Sequence, residues 1–231
     1  MKNNFLKNFT TIIFWLLVIL VSVYYFYRDV INYVTGSLIP RKEAIRWWLV
    51  VHFVGAACTL FLGPLQFWNY FRNHYRKWHR IAGKFYIGGS IVSALIVFYL
   101  LPYDPLTGSV PSLGLLALIW LFTTISAFWL AIHKKFTLHK QFMIRSYVCA
   151  VAFIFIRLLP QINSYTGIFN FIKNEETRDT VYEWICWVYP IMITEFVLIW
   201  WPSLKTKSQK NKAKSQESLT KMRADKSLDQ Q

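Results

Sequence analysis

The sequence predicts an all-α membrane protein, a polytopic bundle of six transmembrane helices with N-terminus and C-terminus both on the cytoplasmic side. Three observations predict it. Of the 231 residues, 55% are hydrophobic and only 16% are Asp, Glu, Lys or Arg, less charged surface than a soluble domain of this size carries. The apolar residues gather in runs of roughly twenty, the length that crosses ~30 Å of hydrocarbon. The 26 Lys and Arg against 11 Asp and Glu are shared unevenly among the connections, which is how such a protein sets its orientation.

In chain order the runs lie at about 10–27, 47–70, 81–101, 112–132, 142–161 and 183–202, one membrane domain within residues 1–203. Lys2 and Lys7 precede the first run, which has no small-x-small cleavage site and reads as a retained anchor. The second connection, "RNHYRKWHRIAGK", has no acid, and the fourth, "HKKFTLHK", is basic. The third, "PYDPLTGSVP", has no cation, and the fifth, "KNEETRDTVYE", is net acidic. Even connections are therefore inside, facing anionic inner-leaflet headgroups. Arg41, Lys42 and Arg46 in the first connection oppose this mildly.

Trp47, Trp48, Trp184 and Trp187 mark one interface; Trp68, Trp129, Trp200 and Trp201 mark the other. Gly63-Pro64 interrupts the second span and predicts a kink there, which neighbours must satisfy. "GIFNFI", in the longest outer loop, is a candidate to lie at the interface. Residues 204–231, rich in Lys, Ser and Gln, predict a disordered basic cytoplasmic tail. Cys58, Cys149 and Cys186 all fall in spans, without CxxC spacing, and read as packing residues.

The polar residues of the spans carry the functional signal. Residues three, four, seven and eleven apart share a helix face. His52, Gly55, Thr59, Gly63, Gln66 and Tyr70 form one such stripe, and His79, Gly83, Tyr86, Ser90 and Ser93 a second. His139, Met143, Ser146, Ala150 and Arg157 form a third. Small and hydroxylated stripes are also what packs membrane helices together, so a packing seam and a site both remain open. Charges inside a span, at about 2.5–3.5 kcal/mol each on insertion scales, are harder to explain by packing. Arg145 and Glu195 are expected to form a structural ion pair. His52 and Arg157, with Gln161, are expected to line an outer polar site, with Gln66 and Tyr86 as further ligand-binding candidates on the stripes. His79, Arg80 and His139 gather at the inner mouth. A b-type haem needs two facing imidazoles and cations for its propionates; His79 and His139 with Arg80 and Arg145 offer that set.

These residues sit in "HFVGAACTLFLGPLQF", "RKWHRIAGKFY", "HKQFMIRSYVCAVAFIFIRLLPQ" and "ITEF". Together they resemble the bacterial membrane proteins catalogued as domain of unknown function family 2306, over about residues 45–200. The resemblance places His52, Gly63, Pro64, Gln66, His79, Arg80, Gly83, Tyr86, His139, Met143, Arg145, Ser146, Tyr147, Arg157 and Glu195 at motif positions, with Gly63, Pro64, Gly83 and Glu195 read as structural. Lys140 stands where related sequences often carry Arg. What it implies is a multi-pass protein of the bacterial inner membrane whose reaction is not established. A more distant likeness is to the b561-type cytochromes. The fourth span lacks a histidine in its outer half, a departure from their two-haem pattern.

Three functions are compatible with these residues. One is a redox protein holding one haem b or a quinone between helices. Another binds a lipid or a small anionic ligand without catalysis. The third is an assembly or scaffold factor that recruits partners by its basic face and tail. No phosphate loop, GxSxG or zinc signature is present, which excludes nucleotide-binding and serine-hydrolase readings. The net charge of +15 reads as topology and not as affinity for nucleic acid.

Overall fold

The computed structural model describes residues 13, 15–28, 31, 45–103 and 108–204. Lys2, Lys7, Arg41, Lys42 and the basic tail after 204 lie outside the described residues. The described chain is helical: α1 (Trp15–Arg28), α2 (Arg46–Phe67), α3 (Asn69–His74), α4 (Arg76–Leu100), α5 (Ser109–Ile132), α6 (Phe136–Thr166) and α7 (Glu175–Glu195). Among the described residues, five helical segments are long and apolar enough to cross a membrane: Arg46–Phe67, Arg76–Tyr103, Ser109–Ile132, Phe136–Thr166 and Glu175–Leu204. The apolar helix α1 is shorter. Part of the first expected span, about 10–27, lies outside the described residues.

The span limits differ from the expected ones for local reasons. At the end of α2, Trp68 adopts an extended backbone, and the basic stretch forms the short α3 and the first turns of α4 instead of an open loop. α6 begins at Phe136, so His139 is in its first turn. It ends at Gly167, whose φ of 66° favours glycine, and whose N–H donates to the Asn163 carbonyl at 2.8 Å. "GIFNFI" therefore opens as a helix cap and tight turn, tied by the Phe169 N–H donating to Asn163 Oδ1 at 2.7 Å.

α2 packs on α4, α4 on α5, α5 on α6, and α6 back on α2, a closed ring of four helices. The α2–α4 seam is tight because two glycines face each other. A Cβ on Gly55 would lie 2.7 Å from the Gly89 carbonyl oxygen, and one on Gly89 2.6 Å from that of Gly55. Close backbone approach of this kind is what small residues contribute in a bilayer, where apolar side chains gain little by leaving lipid for protein. Large apolar side chains such as Val54, Phe122, Ile125 and Phe128 are exposed on the outside of the ring, as a lipid-facing surface requires.

α1 lays Trp15 beside Phe67 and Tyr147, and Phe26 against Phe53 and Phe61. The chain divides into two units at Pro190, within α7: residues 1–190 and 191–231. In the second unit the helix continues through a π-helical turn, Phe196–Trp200, in which Phe196 contacts Trp200 and Trp201.

Candidate ligand-binding site

Inside the ring the stripes interlock by hydrogen bonds. Thr59 and Ser90 hydroxyls pair at 2.8 Å across α2 and α4. The fully buried Tyr86 reaches Ser146 at 3.1 Å, and Ser146 reaches Thr124 at 2.7 Å, joining α4, α6 and α5. The Tyr147 hydroxyl donates to the Leu60 carbonyl at 3.3 Å. With no water to compete in a bilayer interior, each hydroxyl must find such a partner, and these do.

On either side of this middle layer the bundle differs. At the His79 end it is filled: Tyr86, Ala127, Met143 and Tyr147 form one buried cluster, backed by Leu62, Phe67 and Phe142. Gly63 is part of the reason, since a Cβ there would run into the ring of Tyr147. His79, half-buried, has Arg72, Arg80 and His139 near enough for their charges to act on it. Its Nδ1 is buried and has no hydrogen-bond partner among the described residues. Its carbonyl accepts from Gln66 Nε2 at 3.4 Å, and Gln66 Oε1 leaves 3.3 Å for a Cβ on Gly83. His139 Nδ1 lies 2.8 Å from the Ala127 carbonyl. A carbonyl only accepts, so this ring nitrogen carries the proton, and Nε2 of the neutral ring is the acceptor. Arg145 stacks over Phe142 at 5.2 Å.

At the His52 end the helices line a partly open cavity of about 320 Å³. Its walls are mostly aliphatic and aromatic, among them Leu49, Phe53, Val97, Leu116 and Phe153. Five polar side chains interrupt that apolar lining: His52 from α2, Tyr103 from the turn after α4, Trp120 from α5, Arg157 from α6 and Glu183 from α7. His52 is clamped to α4, its Nδ1 3.1 Å from the Ser93 carbonyl while the Ser93 hydroxyl donates to the His52 carbonyl at 2.6 Å. Nδ1 is again the donor, which leaves Nε2 of the neutral ring as an acceptor. The Arg157 guanidinium lies 3.8 Å from the centre of the Phe153 ring, a cation–π contact that fixes it along its own helix. Glu183, 8% exposed, accepts from the Ser109 hydroxyl at 2.7 Å. Trp120 is buried, and its Nε1 has no hydrogen-bond partner among the described residues.

The structure thus brings His52 and Arg157 to one cavity and His79, Arg80 and His139 to the other end. Gln66 belongs to the His79 end, and Tyr86 joins that end to the middle layer. Gln161 is exposed, accepts from the Tyr25 hydroxyl at 2.7 Å, and does not line the cavity. Glu195 is half-buried in the second unit. Trp187 is buried and donates to Ser112 at 3.1 Å. Sequence reading missed Glu183 and Trp120. Glu183 looked like one more acid of an acidic loop; its signal is its place four residues before Trp187, on the same helix face. Trp120 carries no such signal in a run of apolar residues.

The model of the family described as "Predicted membrane protein (DUF2306)" matches residues 49–198, a stretch that holds His52, Trp120, Arg157 and Glu183. No curated protein and no solved structure matches the chain. The chain belongs to the DUF2306 family of membrane proteins.

Proposed function

We propose that this multi-pass membrane protein binds a small amphipathic molecule by its headgroup, in the cavity at the His52 end. The observation that carries the reading is that cavity itself: about 320 Å³, apolar in most of its wall, with His52, Trp120, Arg157 and Glu183 brought to it by four different helices. Sites for small molecules have this make-up, a largely apolar hollow of ~300–1,000 Å³ with a few placed polar groups. Its volume, at the lower end of that range, suits a headgroup the size of a small ring system. A tail continuing into the surrounding lipid would account for the apolar wall. Both a quinone and a lipid meet this description.

The test is thermal unfolding of the detergent-purified protein with a panel of short-tailed quinones and an acidic phospholipid. A ligand at a hundred times its Kd adds about 2.7 kcal/mol to stability, enough to raise the melting temperature measurably. Arg157→Gln should lose most of that rise. A panel that leaves the melting temperature unchanged in wild type would refute the reading.

Haem b is the second reading, favoured by the buried Nδ1 of His79 and by His139, whose Nδ1 is held by the Ala127 carbonyl, at the same end of the bundle. It ranks second because a macrocycle between α4 and α6 would have to displace Tyr86, Met143 and Tyr147. An oxidised-minus-reduced visible spectrum decides it. A Soret band lost in both His79→Ala and His139→Ala would move the function to that end.

A further inference from the structure

We infer that the headgroup is an uncharged ring of the quinone and hydroquinone class, held at one oxygen by the Trp120 N–H and, in its hydroxyl form, by His52 Nε2. This rests on the ligand-binding reading above and narrows it to a class. Trp120 lines the cavity at 6% exposure, and its indole N–H has no hydrogen-bond partner among the described residues. An indole nitrogen is a donor only, and a buried donor without an acceptor is destabilising until something supplies one. What the site lacks at Trp120 is therefore a ligand oxygen with a free lone pair.

His52 provides the complementary group. Its Nδ1 is spent on the Ser93 carbonyl, and the Ser93 hydroxyl holds the His52 backbone in return, so the ring is fixed with Nε2 as its remaining atom for a ligand. In the neutral ring that nitrogen accepts and does not donate. A donor at Trp120 and an acceptor at His52 match a molecule whose oxygens accept as carbonyls and donate as hydroxyls. Charge points the same way. Arg157 and Glu183 line one cavity, and their formal charges offset each other, whereas a site for an anionic headgroup would present cations without a carboxylate.

The experiment titrates the full-length protein in detergent with a short-tailed naphthoquinone, the same compound reduced to its hydroquinone under anaerobic conditions, and phosphatidylglycerol. Trp120→Phe keeps an aromatic ring but removes the N–H together with the pyrrole half of the indole; His52→Phe keeps a ring and removes the acceptor, which a glutamine carbonyl would replace. Expected are quinone binding weakened about tenfold or more by Trp120→Phe, and hydroquinone binding weakened more than quinone binding by His52→Phe. Infrared difference spectra of carbonyl-labelled quinone give a readout that needs no variant to fold. A bound carbonyl should absorb at lower frequency than the free one, and an unshifted carbonyl in wild type overturns the inference. Quinone that binds wild type and Trp120→Phe equally well overturns it too, with the ligand-binding reading intact. Phosphatidylglycerol binding without quinone binding has the same consequence. Failure of all three probes to bind removes both.

Discussion

The two ends of the helical ring carry similar residues and are built differently. Each has a histidine on α2 or on α4 and α6, an arginine nearby, and a backbone carbonyl of a neighbouring helix that fixes an imidazole through Nδ1. At the His79 end the space between helices is taken up by Tyr86, Met143 and Tyr147, whereas at the His52 end about 320 Å³ is left open. Side-chain size accounts for this. Gly63 admits the ring of Tyr147, while Ala56, Ala117 and Ala150, facing the other end, project no side chain long enough to close it. What distinguishes a packed seam from a site here is the volume between the stripes, and not the polar residues on them.

The most severe way to break the comparison is to overfill the closed end. Gly63→Leu puts a branched side chain where even a Cβ meets Tyr147. Overpacking of a filled core costs about 1–3 kcal/mol, and more where nothing can move, so folded protein should be largely lost by size-exclusion chromatography. The matching change at the open end is Ala150→Leu, whose extra atoms enter the cavity. It should leave the melting temperature unchanged or raised, since cavity filling commonly adds about 0.5–2 kcal/mol. Ligand affinity should fall by about tenfold or more, ~1.4 kcal/mol. Equal tolerance of the two substitutions would show that the ends do not differ in packing.

The middle layer should respond less than the closed end. Tyr86→Phe removes the hydroxyl that reaches Ser146. Side-chain hydrogen bonds between membrane helices average about 0.6 kcal/mol and reach about 1.7; full burial puts this one toward the upper part of that range. Tyr86→Phe and Thr124→Val both act on Ser146, so their double-mutant cycle should be non-additive. Strict additivity would mean that Ser146 does not couple the two helices.

Much of the fold is legible in the sequence, because spans and stripes depend on local periodicity. Of the stripe His52, Gly55, Thr59, Gly63, Gln66 and Tyr70, placed on one face by spacing alone, Gly55, Thr59, Gly63 and Gln66 are buried and His52 is half-buried; Tyr70 is exposed, because the helix breaks at Trp68 and Tyr70 falls on the short α3. Ser90 and Ser93 on α4 are buried likewise. The closest α2–α4 approach was half visible, through Gly55; its partner Gly89 lies off the α4 stripe. The cavity was not legible, since it depends on how four helices diverge around alanines whose neighbours are far away in sequence. Glu183 and Trp120 were missed for that reason. Glu183 is explained by Ser109, 74 positions away, whose hydroxyl holds the carboxyl at 2.7 Å. Gln161 shows the opposite case: its spacing from Arg157 suggested the site, but the partner it found was Tyr25 on α1.

The smallest expected effect separates structure from site within the cavity region itself, through one chemical change made at two tryptophans. Trp187 and Trp120 are both buried and both contribute an indole N–H at the His52 end. The Trp187 N–H donates to Ser112 at 3.1 Å, next to the Ser109–Glu183 bond, and ties α7 to the start of α5. Trp187→Phe should therefore cost about 0.6 kcal/mol, the average for such a bond, on top of the packing lost with the pyrrole half of the indole, with or without ligand. Trp120→Phe makes the same truncation but removes a donor that has no partner among the described residues, so the ligand-free protein should lose less than with Trp187→Phe. Trp187→Phe should lower the ligand-free melting temperature more than Trp120→Phe, and saturating ligand should stabilise wild type and Trp187→Phe alike but Trp120→Phe much less. Equal losses at both tryptophans, unaffected by ligand, would mean that the Trp120 N–H is a packing atom and that the open end recognises its ligand by other groups.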